Sequence, residues 1–487
     1  MCDPRLTSAT PPPSSERGGL LATRLSRPGP RYTSYPTAAH FHSGFGADAH
    51  LVALALSNDP LPSGQARPLS LYVHVPFCDA LCHYCGCHVL AGARPARVQR
   101  YAGFLEREAD LVADRVATGR PVVQLHLGGG TPTTLGADGL QRLAAHLRSR
   151  FAFAEDAECS IEADPRRLTP DLLAAMHAAG FGRISLGVQS FDPRVQAAIG
   201  REQPFRRVEE AVAEARRRGF GGLSFDLIYG LPGQTAETWA DTLDKAVRLG
   251  PDRLSVFGYA HVPWMKQNQQ QIDASALPGA EARYRMLLAA GDALRAAGYV
   301  PIGLDHFARP DDPLAAAERA GTLQRNFQGY STHAGCDVVG LGASSISGFE
   351  RAYAQNEKGL RAYYAALDAG RLPTARGVAL TREDRLRRAV IGELMCHLAL
   401  DVRAVEARYG LRFEEHFARA LDELRRLEAE GLVAVRPDRI AVTERGRPFL
   451  RHAAMAFDPT LSPPGPGVPG APSSPSTSPR PRYSQTV

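Results

Sequence analysis

Nowhere does the chain carry a run of about 18 apolar residues, the length a membrane-crossing helix needs. Its opening segment, MCDPRLTSATPPPSSERGG, lacks the apolar stretch of a secretory leader. The expectation is a cytoplasmic protein without a membrane partner. An excess of one charge is also missing: 57 basic residues face 51 acidic ones, for a net charge of +6. That balance is too even for the basic patch of a nucleic-acid binder, yet it suits a polyanionic small molecule. Cysteine is scarce, with eight among 487 residues. Four of these crowd between 78 and 87, which speaks against the disulfide framework of small secreted domains and for a metal site. The rest, 44% hydrophobic and 22% charged, is globular in composition and long enough for a barrel-sized domain plus smaller units.

Short β-branched runs alternate with helical spacing along the middle of the chain. LYVHVP, VVQLHLGGG, CSIEAD, RISLGVQ, LSFDLIYG and RLSVFGYA are separated by amphipathic stretches such as DLLAAMHAAGF, VEEAVAEARRRGF and WADTLDKAVRLG. This alternation predicts right-handed βαβ units on a parallel sheet, and six such strands make a full or partial barrel. In such folds the loops at the C-terminal strand ends converge on one mouth. The six strand ends deliver Cys78, Gly128 to Gly130, Glu162, Gln189, Asp226 and Ala260.

The chain divides into five parts. Residues 1–23 and 459–487 are rich in Pro, Ser and Gly and are expected to be disordered. The final RYSQTV carries an aromatic that can pack back onto the body, although disorder is the default for a terminus. Residues 24–70 are read as a segment packing on the barrel, 71–350 as the barrel, and 351–458 as a mainly helical C-terminal domain. That domain ends in LVAV and RIAVT, a winged-helix outline whose interleaved charges lack a nucleic-acid stripe.

The segment YVHVPFCDALCHYCGC places Cys78, Cys82 and Cys85 in a C-x3-C-x2-C loop directly after a strand. A closed structural zinc or electron-transfer iron-sulfur site takes four protein ligands, so three thiolates around a [4Fe-4S] cluster leave one iron open to a small molecule. The alternative is a zinc knot completed by Cys87, His83 or His88. Cys2, Cys159, Cys336 and Cys396 have no metal-like partners at short spacing and read as ordinary thiols. His74, His126, His261 and His306 sit in apolar or strand-like stretches and read mostly as structural histidines.

With its cysteine spacing, this loop resembles the radical S-adenosylmethionine superfamily. HVPFC before the loop and Cys85-Gly-Cys87 within it narrow the resemblance to the oxygen-independent coproporphyrinogen III oxidases of haem biosynthesis. RPGPRYTSYPTA, LGGGTPTTL, LGVQSF, DLIYGLPGQT, DHFARPDD, RNFQGY and YAQN occur in order along residues 24 to 458 and carry the same likeness. The stretch after Asp458 departs from the family pattern.

The resemblance implies an α/β fold, a partial (β/α)6 TIM-like barrel with a helical C-terminal domain. It implies a [4Fe-4S] cluster on Cys78, Cys82 and Cys85, and two S-adenosylmethionine molecules contacted by Tyr72, Tyr84, Gly129, Gly130, Thr131, Glu162, Gln189, Arg201, Asp226, Ala260 and Ile346. Cys87 matches the extra, non-ligating cysteine of the oxidases, where related haem chaperones typically carry Phe, and is expected to be catalytic. The implied reaction converts two propionates of coproporphyrinogen III to vinyls, with an electron donor such as a flavodoxin or ferredoxin and a monomeric enzyme. The competing expectations are a haem chaperone and a haem-degrading radical methyltransferase. A tetracarboxylate substrate asks for bidentate arginine, and Arg31, Arg309, Arg325 and Arg376 are the candidates.

Overall fold

The computed structural model describes residues 15–61, 63–461 and 483–486. The six expected strands form: β1 (Leu69–Val75), β2 (Pro121–Gly129), β3 (Ala152–Ala163), β4 (Arg183–Gln189), β5 (Gly222–Tyr229) and β6 (Arg253–Gly258). They pair in parallel in this order. Beyond β6 lie β7 (Val300–Ile302) and β8 (His306–Ala308), with β8 antiparallel to β6. On the other side β9 (Asp337–Leu341) pairs in parallel with β1, adding a seventh parallel strand. β10 (Ile346–Gly348), β11 (Ala352–Asn356) and β12 (Thr374–Ala379) follow antiparallel. The sheet is therefore open and twelve strands wide, in the order β12-β11-β10-β9-β1-β2-β3-β4-β5-β6-β8-β7.

Six helices cover its outer side: α1 (Pro95–Ala113), α2 (Gly136–Arg150), α3 (Pro170–Ala178), α4 (Phe205–Arg217), α5 (Ala236–Leu249) and α6 (Ala280–Ala296). Local chemistry sets their ends. A reciprocal Thr235–Thr238 capping box opens α5, and Gly250, at φ +61°, closes it in the left-handed region that glycine tolerates. The parallel strands alternate: Leu69, Leu71, Val73 and Val75 of β1 are each 0% exposed on the helix-packed face, while the opposite face of the sheet brings polar residues such as His126, Ser160 and Ser185 to the cavity.

Three boundaries differ from expectation. The sheet continues through β11 and β12, past residue 350: Ala352–Asn356 pairs with β10 and all five of its residues, Gln355 and Asn356 included, are buried. The helical region instead begins at α7 (Arg382–His397), opened by a Thr381–Asp384 capping box. It continues through α8 (Ala418–Ala429) to α9 (Leu450–Met455) and includes a small antiparallel sheet of Ala399–Asp401, Arg439–Val442 and Val433–Val435. At the other end, residues 15–23, expected to be disordered, belong to a helix, Ser15–Leu25, whose Leu21 and Ala22 pack with Tyr284, Leu432 and Phe449. Finally, Tyr483–Thr486 sits on the folded body. Residues 1–14, with Cys2, and 462–482 lie outside the described residues. No helix among the described residues is long and apolar enough to cross a membrane.

Candidate active site

The C-terminal ends of the parallel strands open onto one cavity of about 1220 Å³, more than a pocket for a single drug-sized ligand needs. The thiol loop leaves β1 through Pro76 and forms a short parallel bridge of Phe77–Cys78 with Leu90–Ala91. Its carbonyls are tied from the segment after β6. Asn268 Nδ2 donates to the carbonyls of Cys82, His83 and Cys85 at 3.1, 3.1 and 3.0 Å. Gln269 Nε2 donates to Tyr84 O at 2.9 Å, and Lys266 Nζ to Cys87 O at 2.9 Å. Sequence reasoning missed Asn268 and Gln269; the polar run KQNQQQ in the loop after β6 was the available signal.

With its backbone spent, the loop turns its sulfurs to the cavity. Cys78 Sγ lies 3.2 Å from Thr131 Oγ1, and Arg201 Nη1 reaches Cys82 Sγ at 3.6 Å. Burial pushes the Cys78 thiol up to about 11. The hydrogen bond from Cys87 is the largest cause that brings Cys85 down to about 7, toward the thiolate that a metal ligand must be.

Beside the loop, the three glycines are dictated by close approach. A Cβ on Gly130 would stand 2.7 Å from the carbonyl carbon of Pro76, and one on Gly129, at φ +111°, 2.5 Å from the His74 ring. Gly129 N–H donates to Glu162 at 3.0 Å. Burial acts to raise the Glu162 carboxyl, but the hydrogen bond from His126 and the Gly129 amide outweigh it and hold it below the ordinary range. Asp226 is pushed up to about 7, by burial first and by the Glu162 charge second. Gln189 holds φ +67° at the tip of β4, a conformation that costs a non-glycine residue and collects at functional sites. Arg201 is 7% exposed and spans Cys82, Asp164 at 3.3 Å and Gly187 O at 2.8 Å.

The cavity wall thus gathers all four loop cysteines with Tyr84, Gly129, Gly130, Thr131, Glu162, Gln189, Arg201, Asp226 and Ala260. Two candidate cofactor contacts do not line the cavity themselves. Tyr72, its hydroxyl 3.0 Å from His74 Nδ1, stacks on His126 of the wall and feels the charges of Glu162 and Cys87 there. Ile346 packs against Phe41, Tyr353 and Leu380 in the antiparallel flank.

The arginines divide likewise. Arg31 and Arg325 line the cavity with Phe257, His306, Phe327 and Tyr330. Arg31 Nη2 donates to Gly258 O at 3.1 Å. Arg325 stacks over Tyr330 at 4.5 Å and lies 3.7 Å from Asp305, with Nε and Nη1 lacking a hydrogen-bond partner among the described residues. Burial acts to raise Asp305, but the Arg325 charge holds it well below the usual carboxylate range. Arg309 bonds to the carbonyls of Gly250 and Pro251 at the opposite end of β6, away from the mouth. Arg376 is held by Gln355 at 2.7 Å, outside the wall. The histidines are hydrogen-bonded rather than free: His74 to His88 O, His126 to Ser160, His261 to Tyr259 and His306 to Asp305.

An open parallel α/β sheet that offers three thiols from the loop after its first strand defines the radical S-adenosylmethionine class. The model of the Radical SAM superfamily matches residues 72–246, and that of the HemN C-terminal domain matches 380–449. The chain is 45% identical over 445 residues to the oxygen-independent coproporphyrinogen III oxidase of Salmonella typhimurium, covering 91% of this chain and 95% of the relative. It is 44% identical over 441 residues to that of Escherichia coli, with the same coverages. A solved structure of coproporphyrinogen III oxidase (HemN) from Escherichia coli, described as a radical SAM enzyme, superposes with a TM-score of 0.84 at 45% identity, covering 88% of this chain and 98% of that one. The chain belongs to the family of oxygen-independent coproporphyrinogen III oxidases.

The superfamily carries a [4Fe-4S] cluster and S-adenosylmethionine, and the residues present fit both. Cys78, Cys82 and Cys85 line one cavity from a single loop, three thiols for a cluster with one iron left open to a small molecule. The glycine turn leaves backbone open beside them, with carboxylates and an amide suited to an amine and ribose hydroxyls.

Proposed function

We propose that this protein removes carbon dioxide from two propionate side chains of coproporphyrinogen III without oxygen, giving the vinyls of protoporphyrinogen IX. The observation that carries the reading is one cavity in which the thiol loop, the glycine turn and two cavity-facing arginines meet. Cys78, Cys82 and Cys85 hold the cluster. When bound, cluster and S-adenosylmethionine supply the carbon radical that takes a hydrogen atom.

Each vinyl forms by loss of a hydrogen atom from the propionate β-carbon, then of carbon dioxide and one electron, which leaves to a one-electron acceptor. The chain's own residues bind and orient. Glu162, Gln189, Asp226 and the Gly129–Thr131 turn position the cofactor. Arg31 and Arg325 take carboxylates that a neutral residue would bind far less tightly. Cys87, hydrogen-bonded to Cys85 on the same loop, is assigned to the chemistry beside the cluster rather than to holding it. The cavity volume supports two S-adenosylmethionine molecules, one for each propionate. Cytoplasmic location, a flavodoxin- or ferredoxin-like donor and a monomer complete the reading.

The test is anaerobic incubation of cluster-loaded protein with S-adenosylmethionine, reductant and coproporphyrinogen III. Protoporphyrinogen and carbon dioxide are expected. Tight haem binding with neither product would overturn the assignment in favour of a haem carrier, and haem consumption in favour of a haem-degrading enzyme. Cys87→Ser is expected to keep the iron-sulfur absorbance and lose turnover, and full activity in this variant would remove Cys87 from the chemistry.

A further inference from the structure

Part of the chamber wall comes from a segment that composition alone assigns to a disordered tail. Tyr483–Thr486 lies antiparallel on Arg27–Gly29: Pro28 and Gln485 form a bridge, Gly29 N–H donates to Ser484 O at 3.0 Å, and Thr486 N–H donates to Arg27 O at 2.9 Å. Side chains from α9 lock this ladder from behind. Arg451, 4% exposed, spends its guanidinium on main-chain carbonyls: Nε on Pro30 at 2.9 Å, Nη1 on Gln485 at 3.1 Å and Nη2 on Gly29. His452 Nε2 meets both Leu25 O at 2.8 Å and Thr486 Oγ1 at 3.3 Å. The Tyr483 hydroxyl lies 3.1 Å from Thr37 Oγ1. A buried arginine given wholly to two strands of backbone is a built fixture, because a cation taken out of water needs every donor satisfied. Ordering four residues also has an entropy cost that a casual contact does not offset.

The fixture faces the site. Tyr483 and Ser484 line the same cavity as Gly29, Arg31 and Thr33. The Arg27–Gly29 ladder thus sets the position of Arg31, two residues on, and brings an aromatic ring and a hydroxyl to the same wall.

We propose that Tyr483 and Ser484 contact the substrate, the anchored segment completing the arginine side of the chamber with a ring for the macrocycle and a hydroxyl for a carboxylate. This rests on the tetrapyrrole reading above. The macrocycle is large, flat and apolar at its faces, and a tyrosine held by its hydroxyl presents such a surface at small entropic cost.

The test uses cluster-loaded full chain, a chain stopped after Arg482, Tyr483→Ala and Tyr483→Phe. Fluorescence titration with coproporphyrin III, the oxidised macrocycle, reads binding apart from turnover. Removal of the segment and Tyr483→Ala are each expected to weaken porphyrin binding and raise KM for coproporphyrinogen III by about tenfold, with iron content unchanged, while Tyr483→Phe stays within about twofold. Amide exchange at Gly29 and Thr486 reports docking itself, and protection there is expected in the full chain and lost at Gly29 after truncation. Tyr483→Ala keeps the backbone ladder and so remains informative if the shortened chain fails to fold. Wild-type binding and KM in Tyr483→Ala would overturn the proposal and leave the reaction standing. A wild-type enzyme that makes no protoporphyrinogen would overturn the reaction, with porphyrin titration still judging the wall.

Discussion

The two sides of the cavity are built differently. On the sulfur side, one short stretch supplies every thiol, and its carbonyls are satisfied from a single neighbouring segment, Lys266 to Gln269. On the arginine side, Arg31, Arg325 and Tyr483 come from three distant parts of the chain, and Arg325 keeps donors without partners among the described residues. A loop whose carbonyls are tied in this way holds a cofactor still. Unsatisfied buried donors are poised for a ligand that brings its own acceptors.

The largest blow to this contrast comes from the sulfur side. Cys82→Ala is expected to abolish the iron-sulfur absorbance and all turnover, since a cluster held by two thiolates leaves a second iron unprotected; retained iron in stoichiometric amount would show that Cys82 is not a ligand. Next, Arg325→Met removes a charge-assisted partner worth about 1.5 to 3 kcal/mol, so KM for coproporphyrinogen III should rise roughly ten- to a hundredfold while cluster content holds. A fall in iron content instead would erase the division between the two sides. Asn268→Ala strips three carbonyls of one donor and should cost about 1 to 3 kcal/mol, visible as a lower melting temperature and slower cluster loading with little change in KM. The smallest effect concerns pH. Asp226 titrates near 7 in the fold, above its unfolded value, so the native state keeps a proton that the unfolded chain releases. Its contribution to stability is present at acid pH and fades as pH rises through about 7. Asp226→Asn should therefore gain on the wild type in thermal unfolding between pH 5 and pH 8, and a pH-independent difference would refute the raised carboxyl.

What was legible in the sequence follows the same division. The six barrel strands, the thiol loop and the glycine turn were readable because each is local: a period of two, a spacing of cysteines, a run of glycines. Arg309 misled because the loop that carries it lies at the wrong end of β6, and a motif string does not say which end of a strand it occupies. Tyr483 reaches the same cavity only through long-range packing, which leaves no periodic trace. The helix Ser15–Leu25 was hidden by its composition: two glycines inside it lower its propensity, and burial of Leu21 and Ala22 against α6 overrides that loss. Glu108, buried and pushed up to about 7 by that burial, carried no signal either, although it bonds Asn356 and Tyr363 and the Gly342 amide beneath the barrel rim.

The seventh parallel strand bears on the order in which the molecule can be assembled. β1, which launches the thiol loop, is flanked by β2 on one side and by β9 on the other, and Asp337 of β9 is clamped by Arg120 at 2.6 Å. During synthesis β2 follows β1 closely, whereas β9 emerges more than half a chain later. Until then β1 is a sheet edge, open to wrong partners, and pairings of such long sequence separation form slowly. The strand that launches the thiol loop therefore gains its second neighbour only once the carboxyl half has closed over it.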